Sequence, residues 1–168
     1  MSIAVVILAA GKGMRMESNL PKALQKIAHA PLLAHAMQAV APLNAQRTIV
    51  VVGHEADAVT KVAKEIDPDV LIARQDTQLG TAHAVAQAHP ALEGFVGDIL
   101  VLYADTPFIS QQTMTNIQNA RADADLVILG FDAQDPGRYG RLVTDGAQLK
   151  RIVEFEDASD QERAITLC

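Results

Sequence analysis

A segment near the amino terminus combines an apolar run with glycines and cations. Residues 3–23 read IAVVILAAGKGMRMESNLPKA, so Gly11 and Gly13 follow the apolar run directly. Glycines let backbone N–H groups come close to an anion and converge on it. Arg15 and Lys22 follow, seven positions apart, in a chain whose formal net charge is −6. Positive charge gathered in one segment of an acidic chain predicts a site for a polyphosphate ligand.

The loop differs from two well-known phosphate-binding motifs. A dinucleotide fingerprint requires a third small residue, but Met16 occupies that position. A Walker-type loop requires Gly-Lys-Ser/Thr, and residues 11–13 read Gly-Lys-Gly without the hydroxyl that would hold magnesium. An ordinary strand-to-helix turn remains an alternative. It would explain the glycines but neither Arg15 nor the Pro21-Lys22 pair.

A single carboxylate at the end of an apolar run is the candidate metal ligand. Asp105 follows Leu100 to Ala104, where an unpaired carboxylate would be costly unless it met a cation or hydrogen bonds. Beside a triphosphate, such a carboxylate is the expected partner of Mg²⁺, which prefers oxygen ligands and retains several waters. The alternative is a turn cap ahead of Pro107, since Asp is common in turns.

A polar loop over residues 75–81 follows the predicted strand at 70–73 and contains Gln75, Gln78, Gly80 and Thr81. Taken alone, this loop could be one that only caps the next helix, with Thr81 as N-cap.

The remaining polar and aromatic candidates have structural interpretations. Five histidines show no metal-ligand spacing and are interpreted as surface or cap residues: His29, His35, His54, His83 and His89. Tyr103 and Phe108 are predicted to lie in the core or in a cleft wall. Taken alone, Glu154 is a charged strand end of the kind that is usually solvated.

Composition and charge limit the class of protein. With 168 residues, 49% of them apolar and 20% charged, the chain suits one globular domain. No apolar run approaches the roughly 18 residues of a membrane span, and the amino terminus lacks a cleavable signal pattern, which predicts a cytoplasmic location. The one cysteine, Cys168, cannot form an internal disulfide or a thiolate metal cluster. The net charge of −6 argues against nucleic acid as a partner.

Strand-length apolar runs alternate with helix-like stretches. Strands are predicted at 3–8, 48–52, 70–73, 99–103 and 126–131, and helices at 32–40, 56–66, around 82–88 and after Ser110. Because the strand runs are apolar without internal alternation, they are typical of strands covered on both faces. We expect an α/β fold, a Rossmann-like three-layer sandwich with a mostly parallel sheet. Ligands in such sheets lie outside the carboxyl ends of the strands, where the strand order reverses.

After residues 135–137 the pattern changes to a hairpin-like unit. Its strands are predicted at 141–144 and 149–153, with the turn at Asp145-Gly146. Ser159 with Glu162 three positions on predicts a capping box for a last short helix. Because no repeat, linker or second domain is recognised, residues 1–168 are expected to form one domain.

Four motifs together resemble the nucleotide-sugar pyrophosphorylase family. LAAGKGMRM followed by PKAL is similar to the family signature L-x-x-G-x-G-T/S-R-M with P-K a few residues later. The others are QDTQLGTAH at 75–83, LYADTPFI at 102–109, and GRYGR at 137–141 with IVE at 152–154. Over essentially the whole chain and in order, they resemble the uridylyltransferase domain of the bifunctional N-acetylglucosamine-1-phosphate uridylyltransferase/glucosamine-1-phosphate acetyltransferases. Four spaced motifs are more specific than one.

The resemblance implies a reaction and a set of site residues. The fold would be of the nucleotide-diphospho-sugar transferase type, joining UTP and N-acetylglucosamine 1-phosphate to give UDP-N-acetylglucosamine and pyrophosphate, for peptidoglycan and lipopolysaccharide precursor synthesis. Arg15 and Lys22 would be catalytic, with Mg²⁺ on Asp105. The implied nucleotide-binding residues are Leu8, Ala9, Ala10, Gly11, Gly13, Gln75, Gln78, Gly80 and Thr81. Among them, Gln75 and the Gly80-Thr81 pair would recognise uracil and ribose, because an amide can present a donor and an acceptor together to a base edge and Gly80 permits close approach. The implied sugar-binding residues are Tyr103, Gly140 and Glu154. Met14 departs from the family's usual Thr or Ser.

Family members continue past the position of Cys168. They add an Asn-containing segment that touches the sugar, a further Asn that completes the magnesium site, and a β-helix acetyltransferase domain. We therefore expect the N-terminal part of a uridylyltransferase domain, truncated at its carboxyl terminus, with an incomplete metal site and exposed apolar surface that favours homo-oligomers. One alternative is another nucleotidyltransferase of this fold, such as a molybdenum-cofactor guanylyltransferase or a glucose-1-phosphate thymidylyltransferase. A second is a fragment that binds UTP or UDP-sugar without turnover.

Overall fold

The computed structural model describes residues 2–13, 18 and 20–168, which divide into two compact units. The first ends at Met114 and the second is Thr115–Cys168. The strands are β1 (Ile3–Ala9), β2 (Lys26–Ile27), β3 (Ala30–Pro31), β4 (Arg47–Val52), β5 (Leu71–Arg74), β6 (Asp98–Tyr103), β7 (Arg141–Asp145) and β8 (Gln148–Val153). The α-helices are α1 (Leu32–Val40), α2 (Ala56–Ile66), α3 (Thr81–Ala86), α4 (Gln111–Ala120) and α5 (Asp160–Arg163).

A four-stranded parallel sheet lies in the first unit. Its strand order is β5-β4-β1-β6, with β1 paired to both β4 and β6. The chain therefore steps outward from β1 through β4 to β5 and then returns to the other side of β1. This places the reversal of strand order beside β1, and it confirms the predicted parallel α/β sheet.

Both faces of the sheet are covered because β1 is apolar at every position. Val5 and Ile7 point into one buried cluster with residues of α1 and α2, including Leu33 and Val59. Val6 and its neighbours on the opposite face pack with Ala84 of α3 and with Ala88. Each buried aliphatic side chain contributes about 1.5–3 kcal/mol to folding. The result is the three-layer arrangement that the strand-length apolar runs predict.

The second unit contains the predicted hairpin and the predicted capping box. Strands β7 and β8 pair antiparallel, with Arg141 opposite Val153, and the turn is formed by residues 146–147, one position later than predicted. At the start of α5, the Ser159 Oγ accepts from the Glu162 backbone N–H, and the Glu162 carboxylate accepts from the Ser159 N–H at 2.8 Å.

The predicted strand at 126–131 is wrong. In the described residues this run has no strand assignment; Phe131 and Cys168 exchange two backbone hydrogen bonds of 2.9 Å, and Asp132 forms an isolated bridge with Leu167. Leu126 and Phe131 are 73% and 50% exposed. Apolar composition alone led to the prediction, but a strand also needs a neighbour along its length, and here pairing is confined to the run's end.

Apolar side chains are exposed along one edge of the sheet. Among the described strands β6 pairs only with β1, and its Ile99, Val101 and Tyr103 side chains are exposed. This agrees with the expectation that some apolar surface lies uncovered. None of the helices in the described part of the chain combines the length and apolarity that a bilayer crossing would require.

Candidate functional site

A cavity of about 240 Å³ opens at the carboxyl ends of β1 and β6, beside the reversal of strand order. Its lining contains eleven of the residues singled out from the sequence: Leu8, Ala9, Ala10, Gly11, Lys22, Gln75, Gln78, Gly80, Thr81, Tyr103 and Asp105. Three small residues complete it: Ala23, Ala84 and Ala104. The structure thus brings together segments that lie up to about a hundred positions apart in sequence.

The loop after β1 is held by contacts to its backbone. The Ala10 carbonyl accepts from Gln78 Nε2 at 2.7 Å and from the His54 N–H at 3.3 Å. Gly53 packs so closely that a Cβ there would lie 2.9 Å from Ala10 Cβ. A Cβ at Gly11, by contrast, would meet no atom of the described residues within 4 Å. The loop is therefore held in place at Ala10, while the space beside Gly11 leaves room for a ligand.

Lys22 is positioned by its neighbours in sequence and by Gly13. It begins a short 3₁₀ turn, Lys22–Leu24, whose Ala23 and Leu24 are buried. Gly13 adopts a φ of +62°, and a Cβ there would lie 2.9 Å from Lys22 Cβ. Glycine is therefore required both by the left-handed backbone and by the close approach. The left-handed backbone of Gly13 and its close packing against Lys22 together fix the position of the Lys22 Cβ.

Lys22 forms an ion pair with Asp105. Lys22 Nζ donates to Asp105 Oδ2, and the two side chains are 37% and 29% exposed. Asp105 follows the buried Ala104, whose N–H donates to the Leu8 carbonyl at 3.0 Å. The Asp105 carboxylate is therefore paired with the Lys22 ammonium, as expected because an unpaired carboxylate at the end of an apolar strand would be costly. At this exposure such a pair contributes only about 0–1 kcal/mol to stability, so its charges remain available to a ligand.

Gln75 is buried beside the cavity, with its amide held in place. Only 4% of the residue is exposed, and its N–H donates to the Val52 carbonyl at 2.8 Å. Its side-chain Nε2 lies 3.2 Å from the Gly80 carbonyl oxygen and 3.0 Å from His83 Nδ1. Gln75 and Gln78 also line a neighbouring concavity.

Two expectations about the segment after Gln75 are corrected. Helix α3 begins at Thr81, so its N-cap is Gly80, with a φ of +99°, and Thr81 is not the cap. His83 is half-buried, with its ring nitrogens 3.0 Å from Gln75 Nε2 and 3.2 Å from Gln87 Nε2, so it is neither a fully exposed residue nor a helix cap. No spacing signal identifies His83, because its role depends on a residue of the preceding loop. Its only sequence cue is its place two positions after Gly80-Thr81.

Other singled-out residues are placed as follows. Tyr103 lines the cavity and is 47% exposed, whereas Phe108 is 71% exposed and its ring lies 5.7 Å from that of His35, so Phe108 is not a core residue. Arg15 and Met14 lie outside the described residues.

Within the described residues no group of three or more His, Cys, Asp and Glu side chains could hold a metal ion. Asp105 offers a single carboxylate.

The predicted sugar-binding residues Gly140 and Glu154 lie together in the second unit. The hairpin register brings them opposite each other, and a Cβ at Gly140 would lie 3.5 Å from Glu154 Oε2. The adjacent Arg141 is only 2% exposed. Its guanidinium donates to the carbonyls of Pro136, Gly137, Tyr139 and Arg163. Arg141 thereby fixes the loop that carries Gly140.

The fold and the cavity define the class of protein. A parallel α/β sheet carries a glycine loop and an acid–lysine pair at its switch point, the place where open sheets of this kind bind ligands. Residues 5–162 match the MobA-like NTP transferase domain family, and the chain belongs to that family.

Individual relatives are more specific than the family model. The chain is 60% identical over 168 residues to the Bifunctional protein GlmU of Ruegeria sp. (strain TM1040), an alignment that covers all of this chain and 37% of that protein. Among solved structures it is similar to HddC from Yersinia pseudotuberculosis complexed with GMP-PN, with a TM-score of 0.72, 26% identity, and coverage of 90% of this chain and 68% of that one. It is also similar to UDP-glucose pyrophosphorylase complexed with UDP-glucose, with a TM-score of 0.70, 18% identity, and coverage of 100% and 73%. These neighbours confirm the predicted nucleotide-diphospho-sugar transferase fold.

Proposed function

We propose that this chain carries the site for uridylyl transfer, in which UTP and N-acetylglucosamine 1-phosphate give UDP-N-acetylglucosamine and pyrophosphate. The observation that carries the proposal is the Lys22–Asp105 pair, which shares one cavity with the glycine loop and with the buried amide of Gln75. The 60% identity to a protein named GlmU supports it. The chain spans about 37% of that relative's length, and we propose that it is the N-terminal part of a cytoplasmic uridylyltransferase.

The reaction joins two anions, so the side chains must position phosphates and screen their charge. A phosphate oxygen of the sugar phosphate attacks the α-phosphorus of UTP, and the bond to the bridging oxygen of the β-phosphate breaks as pyrophosphate leaves. No protein nucleophile is needed. Lys22 would hold the α-phosphate and the attacking phosphate; it lines the cavity together with Ala10 and Gly11. Arg15, which lies outside the described residues, is proposed from the family resemblance to hold the leaving phosphates.

The donor set fits a divalent cation that is shared with the substrate. Asp105 supplies one hard carboxylate at the cavity, and Mg²⁺ commonly takes one or two carboxylates together with phosphate and water oxygens. We therefore propose Mg²⁺, held by Asp105. When bound, it would neutralise charge on the phosphates. Asp105 would have to exchange its contact with Lys22 for one with the metal.

Base and sugar recognition are assigned to different segments. Gln75 would read the uracil edge, while Gly80 and Thr81 would contact base and ribose. Tyr103 lies in the same cavity and would contact the sugar. We assign Gly140 and Glu154 to the N-acetylglucosamine moiety on the strength of the family resemblance and of their proximity across the hairpin.

The test measures binding and product formation with matched lysine variants. The wild-type chain should bind UTP with Mg²⁺ in preference to CTP, GTP and dTTP by calorimetry, and any product should be UDP-N-acetylglucosamine by mass spectrometry. Lys22→Ala should weaken UTP binding or lower turnover by roughly a hundredfold or more, because one charge-assisted contact to phosphate is lost from a preorganised site. Lys26→Ala, in an exposed short strand, is the control and should change neither.

Two further variants test the remaining assignments. Asp105→Asn should abolish the part of UTP affinity that depends on Mg²⁺, whereas the metal-free affinity should not fall, because the variant also releases Lys22 from its ion pair. Arg15→Ala should lower turnover by orders of magnitude with the fold intact. Preferential binding of GTP, or normal UTP binding by Lys22→Ala, would contradict the proposal.

A further inference from the structure

We propose that His83 sets the nucleotide preference by holding the Gln75 amide in one orientation, with the carbonyl oxygen left to the base. His83 would be a positioning residue: its nitrogens contact Gln75 and Gln87, and it is not among the residues that line the cavity. The inference rests on the proposed function, in which Gln75 reads the base.

The orientation of the amide follows from its two partners. The Gly80 carbonyl oxygen, 3.2 Å from Gln75 Nε2, can only accept, so the amide must turn its NH₂ group to this side. His83 Nδ1 lies 3.0 Å from the same Nε2. Both N–H bonds of the amide are then used, provided that Nδ1 is unprotonated and accepts. A protonated Nδ1 would face a donor, and the amide would be driven to turn over.

The amide oxygen is the part that remains for a ligand. No hydrogen bond within the described residues uses Gln75 Oε1, although Gln75 is only 4% exposed. Yet none of the described side chains has a buried polar atom without a partner. Gln75 lines the cavity, where this oxygen would be available to a ligand.

The second ring nitrogen of His83 decides which tautomer is favoured. Gln87 Nε2 lies 3.2 Å from His83 Nε2 and 3.0 Å from the His83 carbonyl oxygen. A neutral imidazole has one accepting nitrogen, so the two amides compete for it. Gln75 is buried and cannot replace the bond with water, whereas Gln87 is only half-buried and can. The lone pair therefore belongs at Nδ1, and the proton at Nε2.

This orientation has a direct consequence for base selection. An oxygen directed at the N3 position of a pyrimidine accepts from the N3–H of uracil but repels the N3 lone pair of cytosine. An amide turned over would present its NH₂ group and reverse that preference. A site built around one hydrogen-bond pattern rejects an analogue with the wrong pattern because buried polar groups are left unpaired.

The experiment compares UTP and CTP affinity in the 168-residue chain with Mg²⁺. His83→Leu removes the acceptor and should reduce the ratio of CTP to UTP dissociation constants by about tenfold, the effect of one or two hydrogen bonds. His83→Asn should retain the ratio within about threefold, because its side-chain oxygen can accept in place of Nδ1. His89→Leu, an exposed histidine after α3, should match the wild type.

The outcomes separate this inference from the proposed function. A wild-type chain without preference for UTP would overturn both. A wild-type preference that persists in full in His83→Leu would overturn only the role of His83. A loss of affinity for both nucleotides at a constant ratio would indicate a structural role and would also overturn it.

A measurement on the wild-type chain does not depend on how the variants fold. Long-range ¹H–¹⁵N NMR of the imidazole should show His83 with Nδ1 unprotonated and Nε2 carrying the proton. The opposite tautomer would leave Gln75 without its acceptor and would overturn the inference.

Discussion

The sheet of the first unit and the hairpin of the second are stabilised by different interactions. In the sheet, every residue of β1 is buried, and the adjoining strands and helices cover it with aliphatic side chains. In the hairpin, no residue of β8 is buried, and the most buried large side chain is the guanidinium-bearing Arg141. Apolar burial is largely insensitive to salt and pH, whereas ion pairs and charged hydrogen bonds are not.

This contrast bears on the proposed site. Lys22, Gln75 and Asp105 extend from strand ends and turns that the apolar core anchors. Gly140 instead follows a loop fixed by hydrogen bonds from one arginine, and Glu154 lies opposite Gly140 across the hairpin. We therefore expect the proposed nucleotide-binding residues to keep their geometry under conditions that disturb the proposed sugar-binding pair.

The largest expected effect on stability comes from truncating a buried side chain in the core of the sheet. Ile7→Ala removes a fully buried side chain from the central strand and should lower the free energy of unfolding by about 2–5 kcal/mol. Urea denaturation would measure the loss. Hydrogen exchange should show faster exchange in β1, β4 and β6. A loss below about 1 kcal/mol would mean that the sheet does not depend on its apolar core.

A smaller effect is expected from removing the buried guanidinium. Arg141→Met should cost about 2–3 kcal/mol, because carbonyls in the 136–139 loop lose their donors. Hydrogen exchange should rise in peptides covering 136–163. Arg138→Met is the matched control: that side chain is 75% exposed and pairs with Glu156, so its loss should cost less than about 1 kcal/mol. Equal effects of the two variants would contradict the assigned role of Arg141.

The smallest effect concerns the capping box and acid pH. The hydrogen bond from the Ser159 side chain, followed by that from its backbone, lowers the pKa of Glu162 below its ordinary value of 4.5. A lowered pKa in the folded state gives stability that is present above pH 4.5 and is lost as the pH falls through the folded-state pKa. Ser159→Ala should cost about 1 kcal/mol at neutral pH. It should also flatten the acid dependence of stability, and an unchanged slope below pH 4.5 would count against the linkage.

The sequence predicts the scaffold well, for a physical reason. The apolar run of β1 and the spacing of apolar residues in the helices 32–40 and 56–66 each match the period of the element that forms, so these elements are predicted within a residue or two. The run at 126–131 is equally apolar, but its pairing depends on residues near the carboxyl terminus that no local pattern reveals.

The site is less predictable where roles depend on spatial neighbours. The segments that line the cavity could be identified because each follows a predicted strand. His83 could not, because its contact with Gln75 exists only once loop and helix are folded. A buried Arg141 also runs against the usual exposure of charged side chains, since its burial depends on a ring of carbonyls that only the folded loop provides.

The contact between Lys22 and Asp105 also has a thermodynamic consequence. While the two groups hold each other, a metal ion arriving alone finds its carboxylate engaged, and a phosphate arriving alone finds its ammonium engaged. A ligand that carries both charges releases both groups at once. Metal and nucleotide should therefore bind cooperatively, each raising the affinity for the other by the same factor.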